Sequence, residues 1–328
     1  MSISWWPISR WLLYLLLLHI NSFALQELCY KYTNKFGVHD IRYTASKPVS
    51  KSNKMPPIVF IHGFGGNADQ FRYQMQYFGD KGFNSYAIDL LGYGYSSKPN
   101  PRNYKVNEIY NFQTWADQTI EFINDVVREP CILVCNSVGG LVGLQTANNK
   151  PNLISGLVLI DISHRQLHVT KQNIFQRQIV PLIQTTLRET SLGKYFFTQV
   201  AQREVLKNIL KQAYAAKSLD DEIVDIILKP GLEPGAAEVF LDFISYSSGP
   251  LVEELLPKTT CPVRILWGEL DPWESVEEGR NYAQFPCVDK FVVIKDAGHC
   301  PMDQKPTEVN SLISEFITER FVGKKVRM

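Results

Sequence analysis

The stretch CILVCNSVGGLVG, residues 131–143, decides the fold. Its first five residues are apolar and predict a buried β-strand, whereas the residues after Ser137 have the pattern of a helix. Ser137 therefore falls on a sharp strand-to-helix turn, which exposes a serine hydroxyl above the sheet and directs the first N–H groups of the helix towards it. Cys135 stands where glycine is usual two residues before such a serine. Taken alone, the stretch leaves open an ordinary Gly-rich turn.

Short apolar runs alternate with amphipathic segments on both sides of this stretch. The predicted strands are IVFIH (58–62), NSYAIDL (84–90), CILVC (131–135), ISGLVLI (154–160), VRILW (263–267) and KFVVIK (290–295), with helices near 68–80, 112–128, 138–149, 274–284 and 307–321. This alternation predicts a mostly parallel sheet with helices on both faces. Two further runs around Gly37 predict a preceding hairpin.

The β-strand signal stops after residue 161, and apolar residues such as Val205, Leu206 and Ile209 then recur at helical spacing. This block predicts an inserted helical cap. The predicted organisation is a leader at 1–24, a first part of the core at 25–161, the cap at 162–258 and the rest of the core at 259–328.

The first 24 residues have the pattern of a signal peptide. Arg10 precedes an apolar run from Trp11 to Leu18, and residues 22–24 resemble a small-x-small cleavage site. The run is shorter than the roughly 18 to 20 residues that span a bilayer, so an uncleaved interfacial anchor is the alternative to a cleaved signal. We expect entry into the endoplasmic reticulum.

The composition excludes several classes of protein. A chain of 328 residues with 45% hydrophobic residues is globular, and 34 Lys and Arg against 33 Asp and Glu give no electrostatic footprint for nucleic acid. The six cysteines are too few for a disulfide scaffold of this length, and we expect Cys131, Cys135 and Cys261 to be buried small hydrophobic residues.

Two later motifs supply the partners that a nucleophilic serine needs. Asp271 lies in WGELDPWE and His299 in DAGHCPMDQKP, each after a predicted strand. An imidazole takes the proton of the serine hydroxyl, and a carboxylate orients the imidazole. Ser137, Asp271 and His299 thus form a candidate catalytic triad, at the strand ends where open α/β sheets build their sites. Such a triad requires no metal ion or organic cofactor.

The loop FIHGFGGN, residues 60–67, is a candidate oxyanion hole. Its glycines let backbone N–H groups approach a substrate carbonyl, and the expected donors are the N–H groups of Phe64 and Val138. A glycine loop shaped only for packing is the alternative. His62 is expected to brace this loop rather than to act as a base.

Other residues compete for these roles. Asp161 also closes a predicted strand and is the alternative acid. His164 and His168 have the i, i+4 spacing of some metal sites, but they lack the glutamate found between the histidines of zinc proteases. We expect these two histidines to be solvated residues at the base of the cap.

Taken together, these motifs resemble the α/β-hydrolase family over about residues 28–321. The resemblance is carried by HGFGGN, DLLGYGYSSKP, CNSVGG, WGELDPWE and GHCPMDQKP. It implies the α/β-hydrolase fold, with residues 162–258 as its cap or lid. It also implies a serine nucleophile, because epoxide hydrolases and haloalkane dehalogenases have an aspartate where Ser137 stands.

The segments FISYSSGPLVEELLPKTTCPVRILWGELDPWE and DAGHCPMDQKP are similar to the plant and algal pheophytinase and chlorophyll dephytylase group. That resemblance implies cleavage of the phytyl ester of a chlorophyll-type pigment in a plastid, and an ER-type leader fits an alga whose plastid is reached through the ER. The alternatives are a general carboxylesterase or lipid hydrolase of the secretory pathway, and a hydrolase-fold ligand receptor with slow turnover. The expected partner is a lipophilic ester, with peripheral membrane contact through the leader or the cap.

Overall fold

The computed structural model describes residues 26–46, 55–216 and 219–322, so the predicted leader lies outside the described residues. The described residues form an eight-stranded sheet of order β1-β2-β4-β3-β5-β6-β7-β8. Its strands are β1 (Gln26–Asn34), β2 (Gly37–Ala45), β3 (Ile58–Ile61), β4 (Ser85–Ile88), β5 (Cys131–Asn136), β6 (Ile154–Ile160), β7 (Val263–Gly268) and β8 (Val288–Ile294). The β2 strand pairs antiparallel with both β1 and β4, and all later neighbours are parallel. The mostly parallel α/β fold expected from the sequence is confirmed.

Helices follow most of the parallel strands. They are α1 (Arg72–Asp80), α2 (Phe112–Phe122), α3 (Val138–Asn149), α4 (Ile174–Glu189), α5 (Ser191–Val200), α6 (Arg203–Ala213), α7 (Asp221–Gly231), α8 (Ala236–Ile244), α9 (Val252–Leu255), α10 (Val276–Gly279), α11 (Pro301–Gln304) and α12 (Pro306–Ile317). A 3₁₀ turn (Ala68–Phe71) leads into α1, and π turns extend α2 and α12 through Val127 and Val322. Within the described ranges, no helix combines the length and the apolar character that crossing a membrane requires.

The position of β5 in the middle of the sheet explains the apolar run Cys131–Cys135. All six residues of the strand are buried, and the five of this run alternate between two apolar layers. Leu133 and Cys135 join the layer that includes Trp115 of α2, whereas Ile132 and Val134 join the layer that includes Phe316 of α12. Because both faces of the sheet are covered, the strand has no polar side.

Helices α4 to α8 lie between β6 and β7, in the segment that the sequence assigns to a cap. The short helix α9 is different, because Asn148 of α3 donates a hydrogen bond from Nδ2 to the carbonyl of Leu255 at 3.0 Å. Residues 252–258, which the sequence assigns to the cap, thus contact a helix of the core through Leu255.

The turn between β5 and α3 accommodates a cysteine where glycine is usual. A Cβ atom at Gly143 would lie 2.6 Å from Sγ of Cys135. The thiol therefore fits because the residue facing it, one turn along α3, has no side chain. The thiol is fully buried, and burial raises the pKa of Cys135 well above its usual value. Cys135 is thus an inert packing residue, as the sequence suggested.

Replacing Gly143 by alanine should overfill this contact. We expect Gly143→Ala to lower the free energy of unfolding by about 1–3 kcal/mol, although alanine favours a helix interior. Cys135→Ala should restore most of that loss in the double variant. Chemical denaturation of the two single variants and the double variant measures the coupling, and simple additivity would contradict it.

Candidate active site

Ser137 occupies the turn between β5 and α3 in a strained backbone conformation. Its φ of +55° and ψ of −123° are rare for a residue with a side chain. The Ser137 N–H donates to the carbonyl of Ile160 at 2.9 Å, which fixes the turn against β6. The hydroxyl makes no hydrogen bond with any described residue, so it is available to a base.

Asp271 and His299 are in direct contact. Nδ1 of His299 lies 2.6 Å from Oδ2 of Asp271, while Oδ1 accepts hydrogen bonds from the N–H groups of Trp273 and Glu274 at 2.8 and 3.1 Å. Burial acts to raise the pKa of Asp271, but the contact with His299 and the two N–H donors outweigh it and hold the pKa below its usual value. A carboxylate at Nδ1 selects the tautomer in which Nε2 accepts a proton.

The loop that carries His299 is held from two sides. Its N–H donates to the carbonyl of Ala213, at the end of α6 in the cap, at 2.7 Å. Its carbonyl accepts a hydrogen bond at 3.2 Å from Nδ2 of Asn136, the residue before Ser137. The sequence analysis assigns Asn136 no role, although its position next to Ser137 in the serine motif indicates that it belongs to the site.

Ser137 and His299 line the same cavity of about 630 Å³. No hydrogen bond joins Ser137 Oγ and His299 Nε2, although both residues line the cavity. Catalytic hydrogen bonds are often loose without substrate.

Phe64 and Val138 line this cavity as well. Their N–H groups donate to no acceptor within the described part of the chain, and Val138 is the first residue of α3. A Cβ atom on Gly63 would lie 2.9 Å from Cβ of Ser137, which shows how closely the glycine loop approaches the serine. Two unpaired N–H groups beside a serine have the chemistry of an oxyanion hole.

His62 joins two loops rather than facing the serine. Its Nε2 accepts a hydrogen bond from the N–H of Leu90 at 3.1 Å, and its Nδ1 lies 2.7 Å from the carbonyl of Gly63. The ring is therefore neutral with its proton on Nδ1. Complete burial lowers the pKa of His62 from 6.5 to about 4.

Asp161 lies behind the pair. One carboxyl oxygen each of Asp161 and Asp271 and a ring nitrogen of His299 lie within 4.8 Å of one another. Asp271 and His299 are already paired with each other at 2.6 Å. Asp161 does not replace Asp271 as the partner of His299, because its Oδ1 instead accepts the N–H of Gly268 at 2.8 Å.

His164 and His168, which we expected to be solvated, are buried and have protein partners. His164 contacts the hydroxyl of Tyr282 and the carbonyl of Ser275 at 2.7 and 2.9 Å. His168 contacts Thr170 and Gly249 at 2.8 and 3.0 Å. The expectation of exposure was wrong because residues of the second part of the core cover His164, and the segment around Gly249 covers His168.

Residues 58–312 match the profile of the alpha/beta hydrolase family. The chain belongs to this family. The chain is similar to the uncharacterized hydrolase YugF of Bacillus subtilis, with 26% identity over 79% of this chain and 89% of that protein. It is also similar to the chloroplastic pheophytinase of Arabidopsis thaliana, with 24% identity over 80% of this chain and 61% of that protein.

A thermophilic esterase from Thermogutta terrifontis has the same fold. Its structure superposes with a TM-score of 0.65 at 21% identity, over 90% of this chain and 98% of the esterase. The family membership and the relatives support a general hydrolase activity for this chain.

Protonation of His62 should make the free energy of unfolding depend on pH. The unfolded ring takes up a proton near pH 6.5 and the folded ring only near pH 4, so the contribution of this ring to stability is present above pH 6.5 and lost as the pH falls towards 4. We expect the stability difference between wild type and His62→Gln to shrink by about 3 kcal/mol between pH 7 and pH 4. Urea unfolding at several pH values measures it, and a constant difference would refute it.

Proposed function

We propose that this hydrolase is a serine ester hydrolase that cleaves carboxylic esters of lipophilic substrates. The observation that carries the proposal is the pair of Asp271 and His299 in the same cavity as Ser137, whose hydroxyl is unpaired. The family membership and the hydrolase relatives support hydrolysis in general.

The proposed mechanism gives each of these residues a defined role. His299 takes the proton of Ser137 through Nε2, and Oγ attacks the ester carbonyl. The N–H groups of Phe64 and Val138 stabilise the oxyanion, while Asp271 stabilises the imidazolium. His299 then protonates the leaving alcohol and activates the water that hydrolyses the acyl-enzyme.

The cavity favours an apolar substrate. Its wall is formed mostly by hydrophobic side chains from the glycine loop and the cap: Phe64, Phe196, Phe197, Val200, Leu206, Ile209, Leu210, Ile227, Val239, Phe240 and Phe243. The ring of Phe64 packs in a tilted arrangement against those of Phe240 and Phe243, with centroids 5.1 and 5.3 Å apart. A cavity of about 630 Å³ with this lining suits a long hydrocarbon chain.

A phytyl ester of a chlorophyll-type pigment is the specific substrate we propose. Phytol is a long, branched hydrocarbon alcohol that matches the apolar lining, and the similarity to a pheophytinase supports this choice. Incubating the purified protein with pigment and lipid esters and identifying the released alcohol tests it, with free phytol as the expected product.

Two alternatives stay open to test. A general carboxylesterase or lipid hydrolase of the secretory pathway suits the ER-type leader, and its assay would release other alcohols or fatty acids. A ligand receptor with slow turnover would show a single turnover per molecule. Plastid targeting and membrane contact through the leader or cap are part of the proposal and are tested by fractionation of tagged protein.

Loss of the nucleophile should abolish activity. We expect Ser137→Ala to reduce kcat on a long-chain p-nitrophenyl ester by on the order of a million-fold, because the triad acts as a unit. A fluorophosphonate probe should label wild type but not this variant.

Ser163→Ala is the matched control, since Ser163 also lines the cavity but its hydroxyl donates to Glu274 at 2.7 Å. This variant should retain labelling. Labelling of Ser137→Ala, or loss of labelling only in Ser163→Ala, would contradict the assignment of the nucleophile.

Two aromatic residues of α5, Phe197 and Tyr195, provide a test that distinguishes loss of a substrate contact from a general effect on the helix. Phe197 lines the cavity and contacts Phe240, whereas Tyr195 does not line the cavity and is 66% exposed. We expect Phe197→Ser to reduce kcat/KM for a long-chain ester about tenfold more than for an acetate ester. Tyr195→Ser should leave that ratio unchanged, and equal effects of both substitutions would argue against an acyl- or alcohol-chain site here.

A further inference from the structure

Asp161 lies beside the proposed triad, but the mechanism gives it no step. Its side chain is fully buried at the end of β6, and its backbone has a φ of +44°. Oδ1 accepts the N–H of Gly268 at 2.8 Å, whereas Oδ2 has no hydrogen-bond donor among the described residues. A buried carboxylate oxygen without a donor is costly, and its retention requires an explanation.

The carboxyl group near Asp161 is that of Asp271. One carboxyl oxygen of Asp161 lies within 4.8 Å of one carboxyl oxygen of Asp271, and no Lys or Arg of the described ranges forms an ion pair with Asp161. Two ionised carboxyls at this separation repel strongly in a buried site. One of the two must therefore hold a proton.

The hydrogen-bond donors decide which one. Asp271 receives His299 and the N–H groups of Trp273 and Glu274, while Asp161 receives only the N–H of Gly268. Three donors stabilise a negative charge better than one. In agreement, burial and the charge of Asp271 raise the pKa of Asp161 well above its usual value.

We propose that Asp161 is a positioning residue whose protonated carboxyl donates a hydrogen bond from Oδ2 to the Asp271 carboxylate. This role rests on the proposed function of Asp271 as the acid of the triad. The bond fixes the rotation of Asp271 and so keeps Oδ2 of Asp271 directed at Nδ1 of His299.

The titratable groups facing Asp161 come from two other elements. Asp271 and Glu274 follow β7, and His299 and Cys300 follow β8. Each of the two acids adds negative charge near Asp161, and none of these groups supplies a fixed positive charge. A second ionised carboxyl at Asp161 would therefore stabilise the imidazolium and push the acid limb of activity to higher pH.

The decisive variant is Asp161→Asn, because asparagine resembles a protonated aspartate, tolerates a positive φ and keeps both a donor and an acceptor. We expect the acid limb of the kcat/KM profile to stay within about 0.3 pH unit of wild type and kcat to stay within about threefold. A downward shift of about one unit or more would show that wild type carries a charge at Asp161, and would overturn the proposal.

Asp161→Gly removes the donor while tolerating the backbone conformation. Asp271 then keeps its full charge, so we expect the acid limb to move to higher pH and kcat to fall at least about tenfold, with a smaller change in KM. A residue that only packed the turn would not shift the pH profile. Identical profiles for the Gly and Asn variants would also overturn the proposal.

An infrared difference spectrum tests the proton without relying on activity. Wild type minus Asp161→Asn at pH 7 should contain the carbonyl band of a protonated carboxylic acid, and the same band should appear when both proteins also carry Ser137→Ala. Absence of the band refutes the proposal about Asp161. Presence of the band in a protein without esterase activity would instead refute the proposed function and leave the protonation intact.

Discussion

The strained backbone of Ser137 is the constraint on which the rest of the site depends. A positive φ in a residue with a side chain costs about 1–3 kcal/mol, and it persists only where the surroundings determine it. Here the carbonyl of Ile160 binds the Ser137 N–H, and a Cβ atom at Gly139 would lie 2.4 Å from the carbonyl oxygen of His62. Strand β6, the glycine loop and helix α3 thus meet at one residue, and the fully buried strand β5 anchors them.

The cap contributes to the base as well as to the cavity. The carbonyl of Ala213 binds the N–H of His299, and a Cβ atom at Gly298 would lie 2.3 Å from that same carbonyl oxygen. The next residue, Tyr214, donates a hydrogen bond to Asp303 at 2.8 Å. The end of α6 is therefore fixed to the histidine loop, so the element that lines the cavity also sets the position of the imidazole.

The hydrophobic pattern of the sequence was sufficient to predict the sheet, because burial on both faces makes each parallel strand a short apolar run. The partners of Ser137 could be nominated from the sequence, since Asp271 and His299 are polar residues at strand ends. Their 2.6 Å contact could not, because it depends on the conformations of two loops. The aromatic run of α5 shows the same limit: Phe197 lines the cavity and Tyr195 does not, a difference set by how the helix packs.

Electrostatics resolve how one imidazole can work beside three carboxyls. If Asp161, Asp271 and Glu274 were all ionised, three negative charges would repel one another in a buried site. The hydrogen-bond donors distribute the negative charge unequally. Asp271 has three donors, Glu274 has two, which are the hydroxyl of Ser163 and the N–H of His164, and Asp161 has one. Burial raises the pKa of Glu274, and the pKa of Asp271 alone among the three lies below its usual value. The fold thus concentrates negative charge on the one carboxylate that touches Nδ1, which is the arrangement a neutral base and an uncharged ester require.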